Sequence, residues 1–225
     1  MQAVVLLSGG IDSTTCLAMA VNELGADNVK ALCLSYGQKH DKELQSAMKV
    51  AKHCGVQLVV EEINPFQFSD CPLLKGRGDI QHKSYAEQLK EIGGEGTVDT
   101  YVPFRNGILL SVAAAFAYSI GAKYVYYGAH ADDAAGRAYP DCTPEFVTAI
   151  DAAIYEGTGH CVNVIAPLLM MNKSEVVATG LKIGAPYELT WSCYEGGEKP
   201  CGKCGTCIDR MKAFEINGIV DPIFK

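Results

Sequence analysis

Two sets of residues in this sequence have the types and the spacing that chemistry needs. The first is the hexapeptide Ser-Gly-Gly-Ile-Asp-Ser at 8–13, which directly follows the apolar run at 3–7. A glycine-rich turn between a strand and a helix presents unpaired backbone N–H groups to an anion. Gly9 and Gly10 can take positive φ and let a phosphate approach the backbone, while the hydroxyls of the two serines and of Thr14 can add donors. The hexapeptide therefore predicts a phosphate-binding loop.

This loop is neither a Walker loop, since no Gly-Lys-Ser/Thr closes it, nor the dinucleotide fingerprint, since the third glycine is missing. The plain alternative is a strand-to-helix turn with Asp12 or Ser13 as the helix N-cap. In the predicted nucleotide site, the outermost residues frame the loop more than they contact a ligand. The site comprises Leu7, Ser8, Gly9, Gly10, Ile11, Asp12, Ser13, Thr14, Thr15, Cys16 and Leu17.

The second set is four cysteines in the spacing C-x7-C-x2-C-x2-C: Cys193, Cys201, Cys204 and Cys207. Short C-x2-C links let successive thiolates reach one ion, and four sulfurs make a closed tetrahedral site that is typical of structural zinc. An Fe-S cluster uses the same ligands, and thiols without a metal are the remaining alternative. We expect structural Zn2+.

The elements that must position these residues alternate between strand and helix. This alternation predicts an α/β fold with a Rossmann-like open parallel sheet and helices on both faces, plus a small C-terminal four-cysteine zinc-binding segment. Ligands bind at the carboxyl ends of the strands in such sheets, which is where the glycine-rich loop lies. The predicted strands are 2–7, 29–35, 57–63, 123–128 and 162–166. The predicted helices are 13–24, 41–54, 106–120, 144–156 and 172–183.

Two segments interrupt this alternation. Residues 64–100 are polar, rich in glycine and only briefly helical, and a long insertion of this kind is typical of a functional lid. From Trp191 onward the chain becomes rich in cysteine and glycine. We predict an α/β domain with the phosphate-binding loop over 1–190, with 64–100 as its insertion or lid, and a zinc-binding segment over 191–225 packed on it.

Composition narrows the class of protein. A formal net charge of −7 over 225 residues argues against a broad basic face for a nucleic-acid backbone, so no nucleic-acid partner is expected. The longest uncharged stretch, 106–122, is shorter than the roughly 20 residues that a membrane span needs. No signal-peptide pattern opens the chain, which indicates a cytoplasmic protein with reduced thiols and no membrane partner.

The hexapeptide resembles the pyrophosphate loop of the PP-loop ATP pyrophosphatase superfamily, whose members cleave ATP to AMP and pyrophosphate while adenylating a substrate oxygen. Further segments, taken together, look like the QueC family of the queuosine pathway, and this resemblance runs from end to end of the chain. They are SYGQKH at 35–40, YVPFRN at 101–106, AYPDCTPEF at 138–146, LTWSCY at 189–194, CGKCGTC at 201–207 and GIVDP at 218–222. One departure is an apparent insertion, Arg137-Ala138, where the family reads close to D-x-S-G-Y-P-D-C.

The resemblance implies an adenine nucleotide alpha hydrolase-like form of the predicted fold. It also implies that ATP with Mg2+ is the cofactor, with Asp12 working beside the ion. The small-molecule substrates would be 7-carboxy-7-deazaguanine, ammonia and ATP. The product would be the nitrile 7-cyano-7-deazaguanine, formed through an adenylated acid and an adenylated amide with release of AMP and pyrophosphate. A homodimer is what the family suggests.

Besides Asp12, three residues are predicted to take part in catalysis. Arg105 could hold the substrate carboxylate or the α-phosphate, although a guanidinium that caps a local turn is the alternative. Asp133 matches the family's aspartate and could bind Mg2+ or the guanine-like edge, against the alternative of a solvated or helix-capping acid. Lys173 could reach a phosphate, against the alternative of a surface lysine.

Three neighbouring residues carry weaker predictions. Asp132 is the other acid at the edge where Asp133 lies. His130 shares that edge and could assist proton transfer or only form a hydrogen-bonding wall. Asp141 is predicted to cap the helix that starts near Pro144.

Two rival functions stay open at this point. The nearer one is a PP-loop tRNA-modifying enzyme of the thiolase type, in which the cysteines hold an Fe-S cluster or zinc or carry sulfur. The other is a non-catalytic zinc-ribbon module that uses the loop to sense a nucleotide.

Overall fold

A five-stranded parallel sheet forms the centre of the computed structural model, which describes residues 2–225. Its strands are β1 (Ala3–Leu6), β2 (Val29–Ser35), β3 (Gln57–Glu62), β4 (Tyr124–Tyr126) and β5 (Asn163–Ile165). The order across the sheet is β3-β2-β1-β4-β5. Strands β2 and β3 are added on one side of β1, and β4 and β5 on the other, so the strand order reverses between β1 and β4. This reversal is the switch point beside which open α/β sheets bind their ligands.

Helices follow the strands and cover the sheet. They are α1 (Ile11–Leu24), α2 (Lys42–His53), α3 (Tyr85–Glu91), α4 (Arg105–Ser119), α5 (Ala131–Ala134), α6 (Pro144–Gly157), α7 (Lys173–Lys182) and α8 (Gly205–Ile216). Short 3-10 turns lie at Ala26–Asn28, Ala135–Arg137, Pro140–Cys142, Tyr187–Leu189 and Pro222–Phe224. None of the helices in the described residues is long and apolar enough to span a membrane.

Both faces of the sheet are packed, as expected of a buried parallel sheet. Val5 of β1 packs with residues of α1, α2 and α7 in one apolar cluster. Its neighbour Val4 points to the other face and packs with α4 and α6 in a second cluster. The central strand is therefore anchored on two sides, which fixes the position of the loop that leaves it.

The insertion and the tail share a third apolar cluster. Phe66 and Leu74 from the insertion pack there with Cys193 and Cys207 from the tail. The tail also enters the main core, because Phe214 of α8 is fully buried beside α7 residues. The division of the chain at residue 190 stays a prediction.

The predicted parallel sheet with helices on both faces is confirmed, with strands and helices ending within two residues of the expected positions. The helix α8 was not predicted. Its sequence reads as a continuation of the cysteine-rich tail, yet Cys204 serves as its N-cap and Phe214 anchors it.

Candidate active site

The glycine-rich loop owes its shape mainly to Gly9. This residue has φ +88°, and a Cβ built on it would lie 2.5 Å from the Glu43 carbonyl oxygen and 2.6 Å from the Ala47 backbone nitrogen. Only glycine fits such a conformation in such a space. The expectation of positive φ at Gly10 is wrong: Gly10 has φ −80° and is the N-cap of α1, where no side chain caps the helix.

The two serine hydroxyls of the loop bond to each other. Ser13 Oγ accepts a hydrogen bond from Ser8 N at 3.2 Å, lies 3.0 Å from Ser8 Oγ and donates to Gly10 O at 3.3 Å. The predicted donor Thr14 is fully buried, and its hydroxyl has no hydrogen-bond partner among the described residues. The outer residues form a buried frame: Leu7, Ile11, Thr15, Cys16 and Leu17.

A charged cluster lies beside the loop, where α1, the β4 end and α7 meet. Lys173, the first residue of α7, places its Nζ 2.6 Å from each carboxylate oxygen of Asp12. His130 Nε2 lies 3.3 Å from Lys173 Nζ, 3.3 Å from Asp133 Oδ2 and 3.8 Å from Asp12 Oδ1. The structure thus brings three of the four predicted catalytic residues together. Lys173 is not on the open surface, since only 17% of its side chain is exposed.

The charges of this cluster stabilise each other. Burial by itself would raise the pKa of the Asp12 carboxyl, but the ammonium and hydrogen bonds of Lys173, together with the neighbouring His130, outweigh burial and hold that pKa below its usual value. Asp12 is therefore ionised at neutral pH. The adjacent Asp132 accepts a hydrogen bond from the Lys173 backbone N–H at 2.7 Å and so fixes the start of α7.

Arg105 lies in a different part of the same cavity. Its guanidinium is half-buried and makes one hydrogen bond, from Nη1 to Tyr36 Oη at 3.2 Å, with the Tyr36 ring centre 5.9 Å away. No carboxylate of residues 2–225 lies within 4.0 Å of it, and it bonds no backbone carbonyl, so it does not cap a turn. Burial alone would lower the pKa of Arg105, but Tyr36 and Asp141 outweigh burial and raise it well above its usual value.

Asp141 has a different role from the predicted one. Its carboxylate accepts hydrogen bonds from the Asn106 backbone N–H at 2.8 Å and from the Asn106 side chain at 3.2 Å. It therefore serves the start of α4, where N–H groups are unpaired, and not α6. The N-cap of α6 is Thr143, whose hydroxyl accepts from Phe146 N at 3.2 Å.

One cavity of about 620 Å³ joins these parts at the carboxyl ends of the strands. The loop, the charged cluster and Arg105 line it. So do three tyrosines, which come from the insertion, the α5–α6 connection and the tail: Tyr85, Tyr139 and Tyr194. The insertion thus contributes a wall of the cavity, and its closure as a lid stays a prediction.

The tyrosines hold one another. The hydroxyls of Tyr85 and Tyr194 are hydrogen-bonded, and the rings of Tyr85 and Tyr139 meet edge to face at 5.6 Å. Tyr139 Oη also lies 2.6 Å from Thr100 Oγ1. Because these side chains are fixed, they offer a preformed apolar surface for a planar ring.

Sequence reasoning missed two carboxylates that line the cavity, Glu43 of α2 and Asp209 of α8. Asp209 could have been found, because Thr206, Asp209, Ala213 and Ile216 follow the helical repeat and all line the cavity. No local pattern marks Glu43.

Two backbone contacts join the tail to the loop side of the cavity. The N–H of Trp191 donates to the Gly9 carbonyl at 2.9 Å. His40 Nε2 lies 2.9 Å from the carbonyl oxygen of Cys193. The segment leading into the first cysteine is therefore part of the cavity wall.

The four predicted cysteine ligands come together. Their Sγ atoms all lie within 4.8 Å of one another. An ion with Zn–S bonds of about 2.3 Å in tetrahedral geometry would hold its sulfurs about 3.8 Å apart, so a single ion fits this group. Backbone N–H groups of Cys201 and Cys204 donate to Cys193 Sγ and Cys201 Sγ at 3.3 Å. Hydrogen bonds from the Cys204 and Cys207 thiols lower the pKa of Cys193, and the same contacts raise the pKa of Cys204 and Cys207.

Comparison with known proteins agrees with this architecture. The family model described as "Queuosine biosynthesis protein QueC" matches residues 2–218. A protein of Archaeoglobus fulgidus named 7-cyano-7-deazaguanine synthase is 46% identical over 99% of this chain and 90% of its own length. Proteins of the same name from Koribacter versatilis and Oceanobacillus iheyensis are 42% and 41% identical, again over 99% of this chain and over 92% and 97% of their own lengths.

Among solved structures, the NMN synthetase from Francisella tularensis shares the fold, with a TM-score of 0.52 and 15% identity over 99% of this chain and 80% of that one. The relatives do not favour the tRNA thiolase alternative. With a family model that spans nearly the whole sequence and relatives above 40% identity, the chain belongs to the QueC family.

Proposed function

We propose that this chain converts 7-carboxy-7-deazaguanine and ammonia into 7-cyano-7-deazaguanine in queuosine biosynthesis, with cleavage of ATP to AMP and pyrophosphate. The names of its relatives support this reaction. The observation that carries it is the arrangement of the cavity, in which the phosphate loop and an unpaired, half-buried Arg105 face one space. Such a space suits an anionic substrate held next to a nucleotide.

The reaction needs two activations, because a carboxylate has no leaving group that ammonia can displace. Adenylation converts one carboxylate oxygen into part of AMP, which departs readily, and ammonia then gives the amide. A second ATP adenylates the amide oxygen, and loss of AMP leaves the carbon-nitrogen triple bond. Each round places one oxygen of the same acyl carbon beside the α-phosphate of a bound ATP, so one loop serves both.

In this proposal the charged cluster binds the phosphates. Lys173 would contact a phosphate oxygen, and Asp12 holds the Lys173 ammonium at the edge of the loop through two bonds of 2.6 Å. Mg2+ bound with ATP would offset phosphate charge, and Asp12 and Asp133 are carboxylates of the kind that hold this ion. His130, 3.3 Å from Asp133, keeps that side chain at the cavity edge.

Arg105 would hold the substrate carboxylate. A guanidinium offers five donors in a planar fork, and here only one of them is used, towards Tyr36. The deazaguanine ring would lie against the wall formed by Tyr85, Tyr139 and Tyr194. Holding the acid by its charged end near the phosphate loop supplies the alignment that adenylation requires.

The four cysteines would bind a structural Zn2+. Four thiolates leave no open position, and the ion would fix the turn that carries Trp191 and Tyr194 to the cavity wall. Metal analysis of the colourless purified protein should return one zinc per chain, whereas a brown protein with iron and sulfide would contradict this assignment. A homodimer is also expected, and light scattering would test it.

The central experiment is an incubation of the protein with ATP, Mg2+, ammonium and 7-carboxy-7-deazaguanine, followed by mass spectrometry of the nucleotides and the base. We expect AMP together with the mass of the nitrile. If AMP formed without the nitrile, the assignment of the loop to adenylation would stand and the assignment of the substrate would be wrong. If metal-replete protein formed neither AMP nor the nitrile, adenylation itself would be rejected.

A further inference from the structure

Five carboxylates line the cavity, and they differ in what holds them: Asp12, Glu43, Asp132, Asp133 and Asp209. Lys173 binds two of them, one through its ammonium and one through its backbone N–H. His130 lies 3.3 Å from the third, and the nearby backbone of Tyr85 offsets part of the rise that burial causes in the pKa of Asp209. Within residues 2–225, the Glu43 carboxylate has neither a hydrogen bond nor an ion pair.

Glu43 is also well placed with respect to the reacting groups. It lies in the first turn of α2, where its backbone carbonyl packs directly on Gly9 of the phosphate loop. Its charged neighbours are Arg105 and His40, and its own charge acts on Tyr36 and Cys33. The carboxylate therefore lines the cavity close to both the loop and Arg105, the two groups between which the adenylated carbon would lie.

Two opposite charges that share a cavity would be expected to pair. Glu43 and Arg105 do not approach within 4.0 Å of each other, so each stays available for a ligand. Burial raises the pKa of Glu43, and Arg105 and His40 offset part of that rise. A half-buried carboxylate of this kind attracts a cation and can also accept a proton.

The proposed reaction needs such a group twice. Ammonium carries no lone pair at neutral pH, so one N–H bond must break before nitrogen can attack the acyl adenylate. In the second round the adenylated amide, after a first N–H proton has left, must lose its last N–H proton, so that the freed electron pair forms the new carbon-nitrogen π bond as AMP leaves. In each round the proton whose loss frees the reacting electron pair comes from nitrogen at the same place, next to the carbon that bears AMP.

We propose that Glu43 is the catalytic base of both rounds. It binds ammonium and takes one proton while the nitrogen pair attacks the acyl carbon, AMP leaves with the electrons of the broken C–O bond, and the protonated amide nitrogen then releases a second proton to water. In the second round one N–H proton is released to water as the amide oxygen is adenylated, and Glu43 takes the remaining N–H proton while the second AMP leaves. Glu43 returns each proton to water. This assignment rests on the proposed function.

The test replaces the base and then supplies a nucleophile that does not need it. Glu43→Gln keeps the shape and removes the basic oxygen, and Glu62→Gln, an exposed glutamate at the end of β3, is the matched control. Hydroxylamine is unprotonated at neutral pH, so its attack on the acyl adenylate requires no base to free a lone pair. Three rates are measured: ATP/pyrophosphate exchange driven by the acid, amide and nitrile formation with ammonium, and hydroxamate formation with hydroxylamine.

For Glu43→Gln we expect unchanged exchange, nearly unchanged hydroxamate formation and a loss of about 10²- to 10⁴-fold with ammonium. Conversion of added amide to nitrile should fall as well. Equal losses with ammonium and hydroxylamine would overturn the proposal, because the proton would then not matter. Loss of exchange would also overturn it, by making Glu43 a binding residue for the base or the nucleotide.

A second variant guards against misfolding. In Glu43→Ala, added formate should restore the ammonium-driven rate and leave the hydroxylamine rate unchanged, whereas no rescue would count against a base at this position. The proposed function is judged separately: if the unchanged chain gives no exchange with 7-carboxy-7-deazaguanine, the substrate assignment fails before Glu43 is tested.

Discussion

The phosphate loop and the cysteine-bearing tail are built in opposite ways. The loop is contiguous, and one strand and one helix position residues 8–13 around Gly9. The tail makes its site from short turns and is held by long-range contacts, among them Phe214 in the main core and Trp191 on the loop. A site made of neighbours in sequence can be recognised from spacing alone, whereas the wall that completes it depends on contacts that spacing does not encode.

One of these long-range contacts is a buried ion pair. Arg210 of α8 is 0% exposed and Asp221 is 3% exposed. The guanidinium donates to both carboxylate oxygens, at 2.6 and 2.9 Å, and to Thr190 Oγ1 at 2.8 Å. This pair joins the end of the chain to the segment that leads into Trp191.

The largest expected effect comes from breaking this pair. Asp221→Ala leaves a buried, uncompensated guanidinium and should cost about 3–5 kcal/mol of unfolding free energy. At about 2–4 °C per kcal/mol, the melting temperature should fall by about 10 °C. The control is Asp70→Ala, whose pair with Arg77 is exposed and should matter little. Equal melting temperatures for the two variants would show that the tail does not depend on this pair.

The next largest effect should be a loss of catalysis at the phosphate loop. Lys173→Met removes the ammonium next to the loop and should lower the rate of ATP/pyrophosphate exchange by about 10²- to 10³-fold, as loss of one preorganised charged contact does. The melting temperature should change less than in Asp221→Ala. Lys182→Met, at the exposed end of the same helix, serves as the control. A normal exchange rate in Lys173→Met would remove Lys173 from the phosphate site.

The smallest effect tests the shape of the loop. Gly9→Ala combines positive φ with a clash against the backbone of α2, and we expect a loss of about 2 kcal/mol of stability with weaker ATP binding. Gly25 also has positive φ, +81°, but a Cβ there would meet nothing within 4 Å, so Gly25→Ala isolates the backbone strain. Calorimetry of the two variants separates the cost of the backbone strain from the cost of the clash with α2. Equal losses would mean that packing on α2 contributes nothing.

Much of the fold could be predicted because its signals are local. Apolar runs bounded by glycines gave the strands and helices, and C-x2-C spacing gave the cysteine group. The helix α8 was missed although its cavity-lining residues follow a helical repeat, and the burial of Arg210 in it becomes visible only when Asp221 is seen beside it. Tertiary contacts overrode local appearance there.

The site was predicted in the same uneven way. Asp12 and Asp133 were named from the family resemblance and Lys173 from its place after a strand, and the sheet brings them to one edge. The partner of Asp141 was predicted wrongly, because the N–H of Asn106, 35 residues earlier, competes better than the adjacent helix start. Glu43 became visible only when α2 was seen to pack on Gly9.

The hydrogen bond from Trp191 to the Gly9 carbonyl has a consequence for synthesis of the chain. The phosphate loop emerges from the ribosome some 180 residues before Trp191. A nascent chain can build strands and helices as they appear, since domains fold during translation. The cavity wall beside the loop is completed only after Trp191 has been added to the chain.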